Sequence, residues 1–152
     1  MSRQNNPARD GNLSKYNDPV IVDYYAQLQG LEPYEERLFE RYIPKGASIL
    51  EIGVGGGRST PWLAARGASY LGIDYALAMV EACRRKFSHL SFGHMDATDL
   101  SAIRSASIDI VVFSFNGIDY IHPTESRAKC LREVNRVLTP GGRFLVVQPN
   151  FR

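Results

Sequence analysis

The stretch that decides the fold is SILEIGVGGGR, residues 48–58. Its first part, Ser48–Ile52, is a short apolar run after a Pro-Lys-Gly break at residues 44–46, and it predicts a buried β-strand. A glycine cluster follows where this strand is expected to turn into a helix, and glycine lets the backbone approach a ligand closely there. A tight turn that binds nothing explains the same pattern, so the loop alone does not decide the function.

Helix and strand signals alternate downstream of this loop. Thr60 is predicted as an N-cap with Pro61 at the first helical position, and Gly67 as the stop of that helix. Apolar periodicity predicts two further helices and four further strands. The inward-facing residues are Leu77, Val80, Cys83 and Phe87 in one helix and Leu131, Val134 and Leu138 in the other. The strands are predicted at residues 70–73, 90–92, 108–113 and 143–147. Five strands with no hairpin signal predict an α/β fold with a doubly wound, mostly parallel sheet.

Two helices are predicted upstream of the first strand, at residues 20–28 and 34–42, because apolar residues recur there at helical spacing. Residues 1–18 are polar and lack the apolar segment of a secretory signal, so they are predicted to form a flexible N-terminal arm. Residues 19–152 are predicted to form a single domain that is short at its C-terminal end. A chain of 152 residues buries roughly 70% of its unfolded surface, which suffices for one core.

Composition narrows the function classes. The formal net charge is +2, and the one dense basic cluster, residues 84–86, fits a solvated helix face better than a nucleic-acid surface. The apolar runs are far shorter than the roughly 20 residues that span a bilayer, so no membrane segment is predicted. Cys83 and Cys130 lie in helical periodicities without Cys/His metal spacing. This predicts two buried, reduced thiols, no metal site and a cytoplasmic location.

The residue at the end of the second predicted strand makes the glycine loop more specific. Asp74 lies about 20 residues past the loop, where a carboxylate in such folds accepts both hydroxyls of a ribose. A dinucleotide fingerprint needs a small residue at its last position, and Arg58 stands there. The pattern therefore favours a nucleoside ligand other than a nicotinamide or flavin dinucleotide.

These features together resemble the class I S-adenosylmethionine-dependent methyltransferases, whose first motif is an apolar strand, an acidic residue, an apolar residue and GxGxG. Residues 49–57, ILEIGVGGG, match this motif throughout. The other matching segments, in chain order, are Leu71-Gly72-Ile73-Asp74 at the ribose-binding strand end, His94-Met95-Asp96-Ala97 at the adenine-binding turn, Asp109-Ile110-Val111-Val112 in the fourth strand, and residues 136–142 before the fifth. The resemblance implies a Rossmann-like sheet in the order 3-2-1-4-5 and S-adenosylmethionine as the cofactor.

The resemblance also assigns residues to the cofactor: Glu51, Gly53, Val54, Gly55, Gly57, Asp74, Tyr75, Met79, Asp96, Ala97, Ser114, Phe115 and Asn116. The loop glycines are expected to lie against the cofactor, with Glu51 near its methionine end. Asp74 is expected to bind the ribose hydroxyls, and Asp96 to accept a hydrogen bond from the adenine amine. Asp74 also fits a helix cap and Asp96 an ordinary turn. Tyr75 and Met79 either pack on adenine or belong to the core.

Residues just past the fourth strand border the expected transfer site, where the strand order reverses. Ser114, Phe115 and Asn116 are expected to meet the methionine moiety, although Phe115 also suits the core and Asn116 a turn. Asp119 and Tyr120, further along, are expected to face the substrate.

Candidates for proton transfer and for a cover over the site are weaker. His122 is the candidate general base, but its place before Pro123 also suits a cap or a surface histidine, and the sequence identifies no catalytic residue. Tyr16, Tyr24 and Tyr25 either close over the cofactor or pack the N-terminal helices on the sheet.

The sequence therefore predicts methyl transfer to a small-molecule acceptor by in-line displacement, with positioning supplying much of the acceleration. The motif spacing is similar to that of quinone and other metabolite methyltransferases. The alternative is a truncated or degenerate domain that holds the cofactor without catalysis. Family members usually continue past the fifth strand with further strands, so the edge along Arg143–Pro149 is predicted to contact a second copy or another partner.

Overall fold

The computed structural model describes residues 7–114 and 117–148. Within these ranges the helices are α1 Pro7–Tyr16, α2 Pro19–Gln27, α3 Pro33–Tyr42, α4 Thr60–Arg66, α5 Leu77–Lys86 and α6 Thr124–Val137. The strands are β1 Ser48–Ile52, β2 Ser69–Asp74, β3 Ser91–His94, β4 Ile108–Phe113 and β5 Leu138–Val146, and a 3₁₀ turn covers Gly117–Tyr120.

The strands form a parallel sheet in the order β3-β2-β1-β4-β5. Strand β1 lies at its centre, with Leu50 beside Leu71 of β2 on one side and Val111 of β4 on the other. The order reverses between β1 and β4, so a crevice opens at the carboxyl ends of these two strands. The predicted doubly wound fold and its strand order are confirmed.

Alternate residues of β1 serve the two faces of the sheet. Leu50 and Ile52 pack with α6, while Ile49 packs with α3 and α4, and all three side chains are at most 2% exposed. Burying such a side chain contributes about 2 kcal/mol, so β1 is anchored from both sides. This fixes the end of β1, from which the glycine loop departs.

The start of α4 differs by one residue from the prediction. Ser59, not Thr60, stands at the N-cap, and its side chain makes no cap hydrogen bond. Both hydroxyls are directed to Glu51 in β1 instead. A long-range partner has thus taken the hydroxyls that local sequence rules assign to the helix end.

Two helix faces and one strand boundary also need correction. Leu77 and Leu131, predicted to face inward, are 43% and 45% exposed. Cys130, Val134 and Val137 are the buried side chains of α6. Leu138 begins β5 rather than continuing the helix, and a register shift between Ile108 and Ile110 accommodates the early start.

Part of the predicted N-terminal arm is helical. Residues 7–16 form α1, and contacts to the following helices hold its end: the Tyr16 ring packs on Tyr25, and the Asn17 side chain accepts a hydrogen bond from Ala78 N at 3.0 Å. Because these contacts join different helices, the polar composition of residues 1–18 does not predict them. Residues 1–6 lie outside the described residues.

Two smaller predictions concern the cysteines and the membrane. Cys83 and Cys130 are free and buried, as predicted. Burial raises the pKa of the Cys83 thiol to about 12 and that of Cys130 to about 11. Across residues 7–114 and 117–148, no helix is long and apolar enough to cross a bilayer.

Candidate functional site

A cavity of about 370 Å³ lies at the carboxyl ends of the strands. Its size is within the range of small-ligand sites, and its position is where open α/β sheets bind ligands. The lining residues come from the ends of β1 to β4 and from the helices above them: Tyr16, Tyr25, Ile52, Gly53, Gly55, Asp74, Tyr75, Met79, Met95, Asp96, Ala97, Thr98, Phe113, Ser114, Gly117, Tyr120, Ile121, His122 and Ser126. Segments far apart in sequence thus meet at one cavity.

Of the residues assigned to the cofactor, the structure brings eight to this cavity: Gly53, Gly55, Asp74, Tyr75, Met79, Asp96, Ala97 and Ser114. Glu51, Val54 and Gly57 lie outside the lining. Val54 packs in a cluster with Val80, and Gly57 lies against Phe87. Phe115 and Asn116 fall outside the described residues.

The glycine loop approaches the cavity through backbone conformations that other residues rarely adopt. Gly53 and Gly55 have φ of +69° and +54°. A Cβ on Gly53 would lie 3.0 Å from Cε2 of Phe113, so a side chain there meets both strain and a close neighbour. The backbone itself therefore forms this wall.

Asp74 connects the end of β2 to the glycine loop. Its carboxylate is 7% exposed and accepts hydrogen bonds from Gly55 N at 3.0 Å and from Ala76 N at 2.9 Å. Burial raises the pKa of this carboxyl, and backbone hydrogen bonds from Ala76, Gly55 and Tyr75 oppose the rise. The bond from Ala76 N forms an Asx turn before α5 rather than a helix cap, because Ala76 is itself the N-cap and α5 has no side-chain cap hydrogen bond. The same side chain lines the cavity.

Glu51 lies behind the loop. It is 1% exposed and accepts hydrogen bonds from the hydroxyls of Ser59, Thr60 (3.3 Å) and Tyr70 (2.5 Å). Its side chain shares the β1 face of Ile49, opposite that of Ile52, which lines the cavity. This explains why a residue expected near the ligand reaches the start of α4 instead, where it holds the end of the loop.

The buried Glu51 carboxyl gives a pH-dependent prediction. Burial raises its pKa, while the hydroxyl donors oppose the rise. The folded state therefore keeps the Glu51 proton to a higher pH than the unfolded chain, whose glutamate pKa is about 4.3. Stability from this group is full below the unfolded pKa and declines as the pH rises toward the folded one. We expect the free energy of unfolding of the native chain to fall relative to Glu51→Gln as the pH rises through this window.

Urea unfolding of both chains from about pH 4 to about pH 8 measures this difference. Glu36→Gln is the control, because Glu36 is exposed on α3. A difference between the native chain and Glu51→Gln that stays constant with pH, or grows in the opposite direction, contradicts the assignment.

The turn after β3 contributes a second carboxylate. Asp96 Oδ1 accepts hydrogen bonds from N and Oγ1 of Thr98, both at 2.9 Å. Ala97 is buried, and Met95 packs against the core beside it. The turn is thus an Asx turn whose acidic residue also lines the cavity.

Ser114 is the first residue past β4. Its Oγ is buried and has no hydrogen-bond partner among the residues that the structure describes, and the residue is 8% exposed and lines the cavity. Buried hydroxyls are normally satisfied, so this one indicates a polar ligand group at that point.

Four tyrosines, Tyr16, Tyr25, Tyr75 and Tyr120, line the cavity, and we call them the tyrosine cluster. The Tyr16 ring lies edge-on to the others, with centroid distances of 5.9 Å to Tyr25, 6.4 Å to Tyr75 and 6.0 Å to Tyr120. Tyr24 is 60% exposed and lies outside the lining. The helical end of the predicted arm thus forms part of the wall.

Two further residues predicted to lie near the acceptor, His122 and Asp119, differ in their positions. His122 lines the cavity, whereas Asp119 is exposed and accepts a hydrogen bond from Gln148 at 2.8 Å. Ile121 and Ser126 also line the cavity, and no motif or spacing in the sequence marks them, because their approach depends on how the segment around the start of α6 packs.

Arg58, which stands where a dinucleotide site has a small residue, fixes the loop to α3. Its guanidinium forms two hydrogen bonds of 2.7 Å with the carboxylate of Glu35, which is fully buried, and a third with Gly30 O. Such a bidentate pair is geometrically specific. Residue pattern does not predict this pairing, since Glu35 stands among the mostly polar and charged residues of α3.

Comparison with known proteins agrees with this geometry. A family model described as a methyltransferase domain matches residues 50–146. A demethylmenaquinone methyltransferase of Clavibacter sepedonicus is 37% identical over 106 residues, which cover 68% of this chain and 41% of that protein. An S-adenosyl-L-methionine-dependent Diels-Alderase of Talaromyces variabilis is 34% identical over 113 residues, covering 70% of this chain and 37% of that protein.

The fold also matches solved structures. The N-methyltransferase NodS from Bradyrhizobium japonicum WM9, in complex with S-adenosyl-L-homocysteine, superposes with a TM-score of 0.70 at 18% identity, covering 93% of this chain and 72% of that chain. This chain spans about two fifths of the length of the two curated relatives. Since the family model matches well over half of its residues, the chain belongs to the class I S-adenosylmethionine-dependent methyltransferases.

Proposed function

We propose that the cavity binds S-adenosylmethionine and that the chain transfers its methyl group to a small-molecule acceptor by in-line displacement. The observation that carries the proposal is the convergence on one cavity of the positive-φ glycine loop and a buried carboxylate at the end of β2. The buried Ser114 hydroxyl, which has no partner within residues 7–114 and 117–148, offers a polar contact on the opposite side of β1.

The residues present fit this cofactor. Asp74 already accepts backbone hydrogen bonds from Gly55, Tyr75 and Ala76, but a carboxylate has about four acceptor sites, so capacity remains for a ribose hydroxyl. Asp96 and Ala97 stand on the neighbouring turn, in reach of an adenine, with Met79 and Tyr75 as apolar walls. Ser114 is placed for the polar end of the methionine moiety.

The bound cofactor supplies a methyl group already activated on a sulfonium. The protein therefore needs mainly to hold an acceptor in line and to exclude water. The tyrosine cluster and Phe113 provide an apolar wall for this purpose. His122 lines the same cavity and is our candidate for accepting a proton where the acceptor releases one.

The small-molecule acceptor is supported by the size of the site, since a cavity of about 370 Å³ is of the size that small ligands occupy. The demethylmenaquinone methyltransferase among the relatives is named for a small-molecule acceptor, which agrees with this choice.

A second candidate is a domain that binds the cofactor without transferring its methyl group. The Diels-Alderase relative favours it, because that protein is named as dependent on S-adenosylmethionine for a reaction that is not a methyl transfer. Cofactor binding alone therefore does not distinguish the two functions.

The test has two stages. Calorimetric titration of the full chain with S-adenosylmethionine and with S-adenosylhomocysteine measures the cofactor site. Incubation with methyl-labelled cofactor and a panel of amines, phenols and quinols then measures transfer. Binding with transfer supports the enzyme, and binding without transfer to any acceptor favours the second candidate. A folded chain that binds neither compound contradicts both.

We also propose a cytoplasmic location, supported by two free buried thiols.

We further propose that β5 pairs with a second copy of the chain. Among the described residues, β5 pairs with β4 only, and Val146 on it is 37% exposed. An exposed apolar strand edge favours pairing with another strand.

Light scattering over a range of concentrations checks the pairing. We expect a dimer that dissociates on dilution, and Val146→Lys is expected to shift the equilibrium toward monomer because a charge disfavours edge pairing. A chain that stays monomeric at high concentration contradicts the pairing. Glu125→Lys, an exposed change on α6, is the control.

A further inference from the structure

The charges around the cavity are one-sided. Two carboxylates, Asp74 and Asp96, line it, while no lysine or arginine occurs among its described lining residues. An anionic acceptor entering this space would lose hydration without gaining a lysine or arginine partner from the described lining. The wall therefore disfavours carboxylate, phosphate and phenolate groups.

The tyrosine cluster adds aromatic surface to this electronegative wall. Tyr16 contacts the rings of Tyr25, Tyr75 and Tyr120, which come from three other segments of the chain. The pKa of Tyr16 is raised far above its ordinary value, mainly because the side chain is buried and in second place because it forms a hydrogen bond with Tyr120. The Tyr16 hydroxyl therefore stays neutral, and its ring remains an uncharged aromatic surface.

Aromatic rings attract cations through their quadrupole, most strongly where water is excluded. In methyl transfer to a neutral amine, the nitrogen lone pair forms the new N–C bond while the C–S bond breaks and its electron pair stays on sulfur. The sulfonium becomes a neutral thioether, and the nitrogen becomes a methylated ammonium. One positive charge is thus present before and after the step, having moved from sulfur to nitrogen.

A cavity that stabilises one cation therefore suits an amine acceptor at both stages. A tertiary amine yields a quaternary ammonium and releases no proton, and primary and secondary amines pass theirs to water or to a base after transfer. With a negatively charged acceptor, the positive charge of the sulfonium is neutralised as the new bond forms. The aromatic and acidic wall then loses its favourable interaction with a cation in the transition state.

We propose that the acceptor is a neutral amine and that the tyrosine cluster binds the ammonium product. This inference rests on the proposed function, because it places the cation beside the S-adenosylmethionine site. The residue we expect to decide specificity is Tyr16, since its ring contacts all three other members of the cluster.

The experiment measures binding of three probes to the full chain saturated with S-adenosylhomocysteine. Choline is the cationic probe. Its carbon isostere, with a tert-butyl group in place of trimethylammonium, is the neutral one, and tert-butylacetate is the anion. We expect choline to bind about tenfold more tightly than the neutral isostere, and the anion more weakly than both. Choline is expected to bind more weakly when S-adenosylmethionine replaces S-adenosylhomocysteine, because the sulfonium repels it.

Variants link the preference to the cluster. Tyr16→Leu is expected to lose most of the tenfold preference for choline, whereas Tyr16→Phe keeps the ring and is expected to retain it. Tyr42→Leu is the matched control, because Tyr42 is exposed on α3 and lies outside the cavity.

The outcomes separate the inference from the proposed function. If S-adenosylhomocysteine binds but choline binds no better than its isostere, or not at all, the amine inference is overturned and the cofactor site stands. A preference for choline that survives in a folded Tyr16→Leu chain overturns the role of Tyr16. If S-adenosylhomocysteine itself does not bind, the proposed function fails and the inference fails with it.

Discussion

Replacing Asp74 by alanine is expected to weaken binding of S-adenosylmethionine by about 100-fold. The carboxylate lines the cavity, and each hydrogen bond to a charged group contributes about 1.5 to 3 kcal/mol. Losing one strong or two weaker bonds from ribose hydroxyls costs about 3 kcal/mol, which corresponds to a factor of this size because about 1.4 kcal/mol is tenfold. The measurement is calorimetric titration of the native and variant chains. Asp74→Asn, which keeps one acceptor oxygen without the charge, is expected to fall between them.

The same substitution affects folding and must be separated from binding. Alanine leaves the N–H groups of Gly55 and Ala76 without their partner, at a cost of about 2 kcal/mol in the free energy of unfolding. Titration is therefore done under conditions where circular dichroism shows each variant folded. Asp23→Ala, which removes an exposed carboxylate of α2, is the control. Unchanged affinity in folded Asp74→Ala would show that the Asp74 carboxylate only links the glycine loop to the residues after β2 and does not bind the cofactor.

The position of Asp74 could be predicted because it depends on local pattern. A parallel strand that ends in a carboxylate, about 20 residues past a glycine loop, places that residue at the carboxyl edge of the sheet beside the loop. The burial of the two thiols follows from similarly short-range signals, because hydrophobic periodicity decides which elements form and which face they bury. The strand order instead follows from the resemblance to the methyltransferase family.

Other parts of the site depend on contacts between distant segments. The pairing of Glu51 with three hydroxyls follows from which face of β1 it occupies and from what α4 presents there. The place of Tyr16 at the cavity follows from the docking of α1 on α2, although its segment is polar. Leu131 is exposed because α6 is rotated so that Cys130 and Val137 face the sheet. Single-sequence periodicity contains none of this information.

The glycine loop itself contains such a case. Spacing emphasised Gly53, Gly55 and Gly57, but the closest approach belongs to Gly56. A Cβ on Gly56 would lie 2.1 Å from the carbonyl oxygen of Tyr25 and 2.5 Å from the nitrogen of Ala26. These are backbone atoms, so no side-chain rotation relieves the overlap, and either the loop or the end of α2 must move.

Gly56→Ala is therefore expected to lower the free energy of unfolding by about 3 kcal/mol, the upper part of the usual range for overpacking. It is also expected to weaken S-adenosylmethionine binding by about tenfold, since such displacements cost binding geometry. The loop has little room to move away: Cys83 Sγ donates to Gly55 O at 3.1 Å from α5, and Lys86 Nζ donates to both Ala26 O and Gly56 O.

Urea unfolding and calorimetric titration measure the two effects. Gly11→Ala is the matched control, because Gly11 lies in α1 with nothing within 4 Å of an added Cβ, and alanine favours a helix by about 1 kcal/mol over glycine. The Tyr25 ring lines the cavity, so a shift of its backbone disturbs the tyrosine cluster as well as the loop. If Gly56→Ala binds and unfolds like the native chain, α2 does not rest on the loop. The part of α2 in the site would then be limited to the Tyr25 ring, without a contact of its backbone with the glycine loop.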